Sequence, residues 1–179
     1  MGIDRHIRDF TGRETRMDIR MTRINLVPPQ ELADQHLFAE FREIKMVPAS
    51  LARSLEAGRT RYARLYGNTT NPVDVNAYAR THVWQRIPTE FTLGKGHVSF
   101  FYNKGQYLID RYDQLRCELT RRGVNFNVDA LLDPSNIYTY HPVFCCTYTP
   151  TEAALALIRA RIAEKIAMKP KWYRWTSTA

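Results

Sequence analysis

The sequence predicts an all-α fold: a compact single domain of three main helices joined by loops. Three observations carry that prediction. Apolar residues recur at helical spacing in three long stretches, each bounded by residues that start or stop helices. No stretch alternates apolar and polar residues over more than a few positions, as a half-buried strand would. The chain has 179 residues and is 44% hydrophobic, enough for one real core and about one domain.

Residues 1–20 differ from the rest of the chain. They hold five arginines and four acids, with few large apolar residues and no sustained period. They are expected to be a disordered arm, or the product of a start codon assigned too early. A short extended run, Met21 to Val27, is stopped by Pro28-Pro29.

The first helix is predicted from about Gln30 to Met46. On a helical wheel Ala33, Leu37, Phe41 and Ile44 form the core stripe. His36 and Glu43 are seven apart, so they lie within about 20° of each other on another side. Gln35 and Arg42 form a parallel row beside them. A solvated helix face has the same pattern, so the wheel alone does not define a site. Pro48 is expected to restart a short helix, Ala49 to Ala57, closed by Gly58.

Residues 59–90 carry the weakest signal. Gly67-Asn68 and Asn71-Pro72 mark turns. Tyr62, Tyr66, Tyr78 and Trp84 alternate with Arg59, Arg61, Arg64, Arg80 and Arg86. That interleaving suits base stacking and phosphate contact, and equally suits half-buried tyrosines. Leu93-Gly94-Lys95-Gly96-His97 lacks the ending of a nucleotide-binding loop and is expected to be a tight turn into a buried helix start.

The second long helix is predicted from about Lys104 to Arg122, with Leu108, Tyr112, Leu115 and Leu119 inward and Gly123 ending it. A loop with Asp133-Pro134 and His141-Pro142 comes next. Thr149-Pro150-Thr151-Glu152 opens the third helix, with Thr149 as N-cap and Glu152 completing a capping box. Leu155, Ile158, Ile162 and Ile166 face the core, and Arg161 and Lys165 make a basic pair elsewhere. Pro170 ends the helix before the basic aromatic tail Lys171-Trp172-Tyr173-Arg174-Trp175.

Lys and Arg number 26 against 18 acids, a net charge of +8, and the pI is near 9.6. Such a protein condenses on polyanions, and arginine suits bidentate phosphate contacts, so nucleic acid is favoured over a charge serving solubility alone. Cys117, Cys145 and Cys146 fit neither a disulfide framework nor a structural zinc site. No run is apolar enough for a membrane span or signal peptide, so a cytoplasmic location is expected. No hydrolytic triad, zinc-binding helix motif or prominent carboxylate pair is visible.

Met21-Thr22 offers a different chemistry. If translation starts at Met21, removal of that methionine before a small residue leaves Thr22 at the terminus. A terminal α-amine has a pKa of about 7.7–8.0, against about 10.4 for lysine, so at pH 7.5 roughly a third is neutral. A neutral amine attacks an electrophilic carbon and holds it as an imine. Arg23, and Arg42 if it folds nearby, would lower that pKa further. An internal Met-Thr is commonplace on its own.

It does not stand alone. Met21-Thr-Arg-Ile-Asn-Leu, Glu31-Leu-Ala-Asp-Gln-His-Leu and Ala39-Glu-Phe-Arg-Glu43 resemble the start of the bacteriophage endonuclease V family of pyrimidine-dimer DNA glycosylases. The resemblance resumes at Pro88-Thr89 and through Leu93-Gly-Lys-Gly-His-Val-Ser-Phe-Phe-Tyr102. It returns at Ala160-Arg-Ile-Ala-Glu-Lys-Ile-Ala and Pro170-Lys-Trp-Tyr-Arg-Trp175. The blocks keep their order across most of residues 21–175.

The resemblance implies a compact, mainly helical enzyme without metal or cofactor. Its terminal threonine amine attacks C1′ of the 5′ nucleotide of a cyclobutane pyrimidine dimer, breaks one glycosidic bond, and nicks the strand by β-elimination. Thr22 matches the nucleophile and Glu43 the catalytic carboxylate. Arg23 and Arg42 match phosphate-binding cations, and Gln35 and His36 match groups that contact the damaged duplex. Arg161 and Lys165 match basic positions of the last helix; Trp172, Tyr173 and Trp175 match the aromatic tail near the lesion. The implied partner is double-stranded DNA bearing ultraviolet photoproducts, bound by a monomer and bent so that a nucleotide is extruded.

Three departures accompany the resemblance. Met46 stands where the family has an arginine, with Lys45 or Arg53 as substitutes. Residues 59–87 include extra material. Residues 1–20 precede Thr22, and while they remain attached its nitrogen is an amide. Two other readings stay open from residues alone: a noncatalytic basic helical module that binds nucleic acid, and a lyase for abasic sites or another base lesion.

Overall fold

The structure is a computed structural model that describes residues 24–67 and 71–176. Thr22, Arg23 and the N-terminal arm lie outside the described residues. Among the described residues seven α-helices run in chain order: α1 (Asp34–Glu43), α2 (Met46–Tyr66), α3 (Pro72–Trp84), α4 (His97–Phe100), α5 (Gly105–Arg121), α6 (Ile137–Tyr140) and α7 (Glu152–Met168). The same residues hold no strand, only an isolated antiparallel bridge between Lys104 and Cys145. The predicted all-α class is therefore observed.

The core forms where the predicted stripes meet. Ala33, Leu37, Phe41 and Ile44 of the α1 region are buried, as are Leu108, Tyr112, Leu115 and Leu119 of α5. Phe41 stacks on Tyr112 with ring centroids 5.1 Å apart. Ile158 and Ile162 of α7 are buried, but Leu155 and Ile166 are only partly so. Gly123 has φ +65° and ends α5 as predicted. Gly94 and Gly96, at φ +90° and +91°, turn the chain into α4, and His97 is buried there with its Nδ1 bonded to the Thr92 carbonyl. The segment is the tight turn expected of it.

Other expectations need correction. The first helix starts later than predicted, at Asp34, because Pro28-Pro29 lead into a short 3-10 turn over Pro29–Glu31. Ala49 to Ala57 is not a separate short helix. Pro48 sits in the first turn of α2, where no backbone N–H is required, and α2 runs on through Gly58 for 21 residues. Gly58 is a crossing point: a Cβ there would lie 2.9 Å from the Cα of Ala79 on α3. The weakly patterned stretch after it contains the 13-residue α3, capped by the Asn71 side chain on the Val73 N–H. The N-cap of α7 is Thr151, whose hydroxyl accepts from Ala154 N, and not Thr149. The predicted trio of main helices corresponds to α1, α5 and α7; α2 and α3 complete the set.

Two buried arginines tie the segment before α1 to α5. Arg111 pairs with Glu40 at 2.8 Å and donates to the Val27 carbonyl. Arg122 donates to the carbonyls of Pro29, Gln30 and Leu32 and pairs with Asp34 and Glu118. These bonds satisfy backbone oxygens that an irregular buried segment would otherwise leave bare.

Candidate active site

The site starts from one flank of α1. His36, Ala39 and Glu43 are spaced by three and four, and Gln35 stands four before Ala39, so they share a face beside the core stripe. That face meets α7 at Lys165 and is covered by the chain after α7. Gln35 holds the cover: its Nε2 donates to the Trp172 carbonyl at 2.7 Å, and its Oε1 accepts from Arg174 N at 3.0 Å. Asp34 N donates to the Arg174 carbonyl, and the Thr176 hydroxyl donates to the Asp34 carboxylate, each at 2.7 Å.

The result is a cleft of about 180 Å³ lined by Gln35, His36, Ala39, Glu43, Lys165, Trp172 and Tyr173. His36 stacks on Tyr173, centroids 4.4 Å apart and planes 22° from parallel. Its two ring nitrogens are buried and have no hydrogen-bond partner among the described residues. Burial, and then the Lys165 ammonium, push its pKa down to about 4, with Glu40 pulling the other way. The imidazole is therefore neutral at physiological pH. Lys165 is itself buried, and its pKa is lowered first by burial and then by Arg161, with Glu43 and Glu164 opposing.

The structure thus gathers six of the sequence-selected residues, Gln35, His36, Glu43, Lys165, Trp172 and Tyr173, around one hollow. Arg42 is exposed next to Glu43 on α1. Arg161 pairs with Glu164 at 3.0 Å, one turn from Lys165. Trp175 lies away from the hollow, half exposed, with its indole N–H toward the Glu31 carbonyl. Met46 opens α2 and is partly exposed, and the Lys45 ammonium sits 5.0 Å over the Phe41 ring. Arg53, seven residues after Met46, shares its face of α2 and has no carboxylate partner among the described residues.

Sequence reasoning missed Glu40. It is fully buried, held by Arg111 and by the Asn25 side-chain amide. The signal was present: Glu40 falls three residues after Leu37 and four before Ile44, inside the apolar stripe, where an acid requires a buried cation.

Chemically, the hollow offers a carboxylate, a neutral imidazole and an ammonium between aromatic rings. A carboxylate there can stabilise positive charge developing on a sugar, and the rings can stack on bases. Among the described residues, no group of three or more His, Cys, Asp or Glu is arranged to hold a metal ion. No helix among them is long and apolar enough to cross a membrane.

A basic helical fold with such a hollow defines a protein class suited to working on DNA. The chain belongs to the pyrimidine dimer DNA glycosylase family, whose sequence signature matches residues 21–132, more than half of the chain. The match begins at Met21 and runs through α1 to α5; α7 and the tail lie beyond it.

Proposed function

We propose that the protein cleaves the 5′ glycosidic bond of cyclobutane pyrimidine dimers in duplex DNA through an imine formed by the α-amine of Thr22, and then nicks the strand. The nitrogen attacks C1′ of the 5′ nucleotide as its glycosidic bond breaks, and the base takes up the bonding pair and a proton. The sugar ring then opens as the C1′–O4′ bond breaks and O4′ takes up a proton, and the resulting imine acidifies C2′. Loss of a C2′ proton expels the 3′ phosphate, and water then releases the amine. Glu43 stabilises charge at C1′ and moves protons. Arg23, Arg42 and Lys165 hold phosphates, Gln35 and His36 border the extruded nucleotide, and Trp172 and Tyr173 stack near the lesion; Arg161 and Trp175 extend the contact. In this proposal Met21 is the working start, or residues 1–20 are removed, and the enzyme acts as a monomer in the cytoplasm on the nucleoid.

The observation that carries the reading is Glu43 and Lys165 sharing an aromatic-walled cleft, with Glu43 on the first helix after the start of the family match. One experiment tests it: borohydride trapping on an irradiated duplex, followed by peptide mapping. A covalent adduct at Thr22 supports the mechanism. An adduct at Lys165, the amine lining the cleft, would move the nucleophile to that side chain. Absence of any adduct from a chain starting at Thr22 would favour a noncatalytic DNA-binding role, and an adduct formed on abasic but not irradiated duplex would favour a lyase for abasic sites. Glu43→Gln is expected to lower nicking by at least about a hundredfold while damaged-duplex affinity stays within about twofold.

A further inference from the structure

A second recess, which shares no lining residue with the Glu43 hollow, opens between α2, α3 and α4. It has a volume of about 150 Å³, and Ser54, His82, Arg86, Ser99 and Tyr102 lie on its walls. Among the described residues no carboxylate lines it. Its floor is polar: the Tyr102 hydroxyl is 2.8 Å from Ser50 Oγ and 3.1 Å from Ser54 Oγ. Arg86 bonds the His82 ring, and His82 stacks on Tyr78. Arg86 and Arg61 are both close enough to His82 to oppose its protonation, after burial.

Several arginines elsewhere in the protein are neutralised. Arg111, Arg122, Arg159 and Arg161 each have a carboxylate partner. Arg61 and Arg86, both exposed, have none among the described residues. Arg86 lies on the wall of the recess, and Arg61 follows Ser54 and Ala57 at helical spacing on the same face of α2. Two guanidinium groups beside a hollow without an acid repel one another, and a bound anion relieves that repulsion. Guanidinium forks match phosphate oxygens.

We propose that this recess seats a backbone phosphate of duplex DNA, a contact separate from the Glu43 cleft. It rests on the reading that duplex DNA is the substrate. Ser54 and Ala57 stand eight and eleven residues beyond Met46 on α2, about 12 and 16 Å along its axis.

The test measures equilibrium binding of undamaged and irradiated duplexes across a salt series. Arg61→Ala/Arg86→Ala alters two exposed side chains, and unchanged far-ultraviolet melting checks the fold. The expected result is a salt dependence shallower by about one unit in log K against log salt, with equal affinity loss on both duplexes. Single-turnover nicking at saturating enzyme should not change. Ser99→Glu, which puts a carboxylate into the hollow, should act in the same direction. A methylphosphonate scan should find one flanking phosphate whose neutralisation weakens the parent protein and not the double variant. An unchanged salt slope in the double variant, or a loss confined to irradiated duplex, would overturn the proposal. If the protein binds duplex yet forms no imine, the catalytic reading fails while these measurements still decide the recess.

Discussion

His36 sits neutral beneath Tyr173 with both ring nitrogens buried. Its folded pKa of about 4 lies below the ordinary 6.5. The unfolded chain therefore takes up a proton first as pH falls. The stability tied to the neutral ring is complete above pH 6.5 and is lost between 6.5 and about 4, on the order of 3 kcal/mol in all. His36→Phe keeps an aromatic partner for Tyr173 and removes that proton site. Urea midpoints should fall less between pH 7.5 and 5 in the variant than in the parent, by roughly 2 kcal/mol in unfolding free energy. His82 and His141, also held below their ordinary values by burial first, leave a residual slope in both proteins. The wheel put His36 beside Glu43 from spacing alone. It could not show that His36 is buried, because the covering tail arrives from more than a hundred residues away.

At the level of helices, α2 and α3 are joined face to face through Gly58 and Ala79. Gly58→Ala favours the helix by about 1 kcal/mol, but its methyl meets backbone, which cannot move aside as a side-chain tip can. The net effect expected is a destabilisation of about 1–3 kcal/mol, read from thermal or urea unfolding. The Gln35 amide shares the hold on the tail with Asp34. Gln35→Ala removes both of its bonds to the tail backbone, so trypsin should cut at Lys171 and Arg174 several-fold faster than in the parent, with the remaining helices protected. Legibility tracked chemical punctuation. The boundaries of α5 were visible because Gly123 takes a conformation that other residues avoid. Those of α2 were not, because Gly58 resembles a terminator while acting as a contact, and Pro48 resembles a break while occupying a first turn. Two threonines around Pro150 left the α7 cap open until Thr151 met Ala154 N.

For the molecule as a whole, the excess of 26 cations over 18 acids is spread unevenly. Part of the arginine set is spent inside, joining α5 to the segment before α1, and part faces solvent on α1, α2 and α3. The outward part governs search on DNA. Affinity for undamaged duplex should fall steeply from 50 to 200 mM salt, with log K declining by about 0.9 per log unit of salt for each phosphate neutralised, while the preference for irradiated duplex changes much less. Fluorescence anisotropy with matched duplexes measures both. The helical class was readable from period, and this balance favoured nucleic acid, while the DNA partner was implied by the family resemblance alone. The route by which remote segments meet was not readable, since a hydrogen bond between residues 35 and 172 leaves no trace in local pattern.

The cleft's cover is built from the stretch that leaves the ribosome after α7. A nascent polypeptide with its final turns still in the exit tunnel therefore has an open furrow in place of a finished hollow. A message truncated shortly before codon 172 would keep α1 to α7 and lose the cover of that hollow.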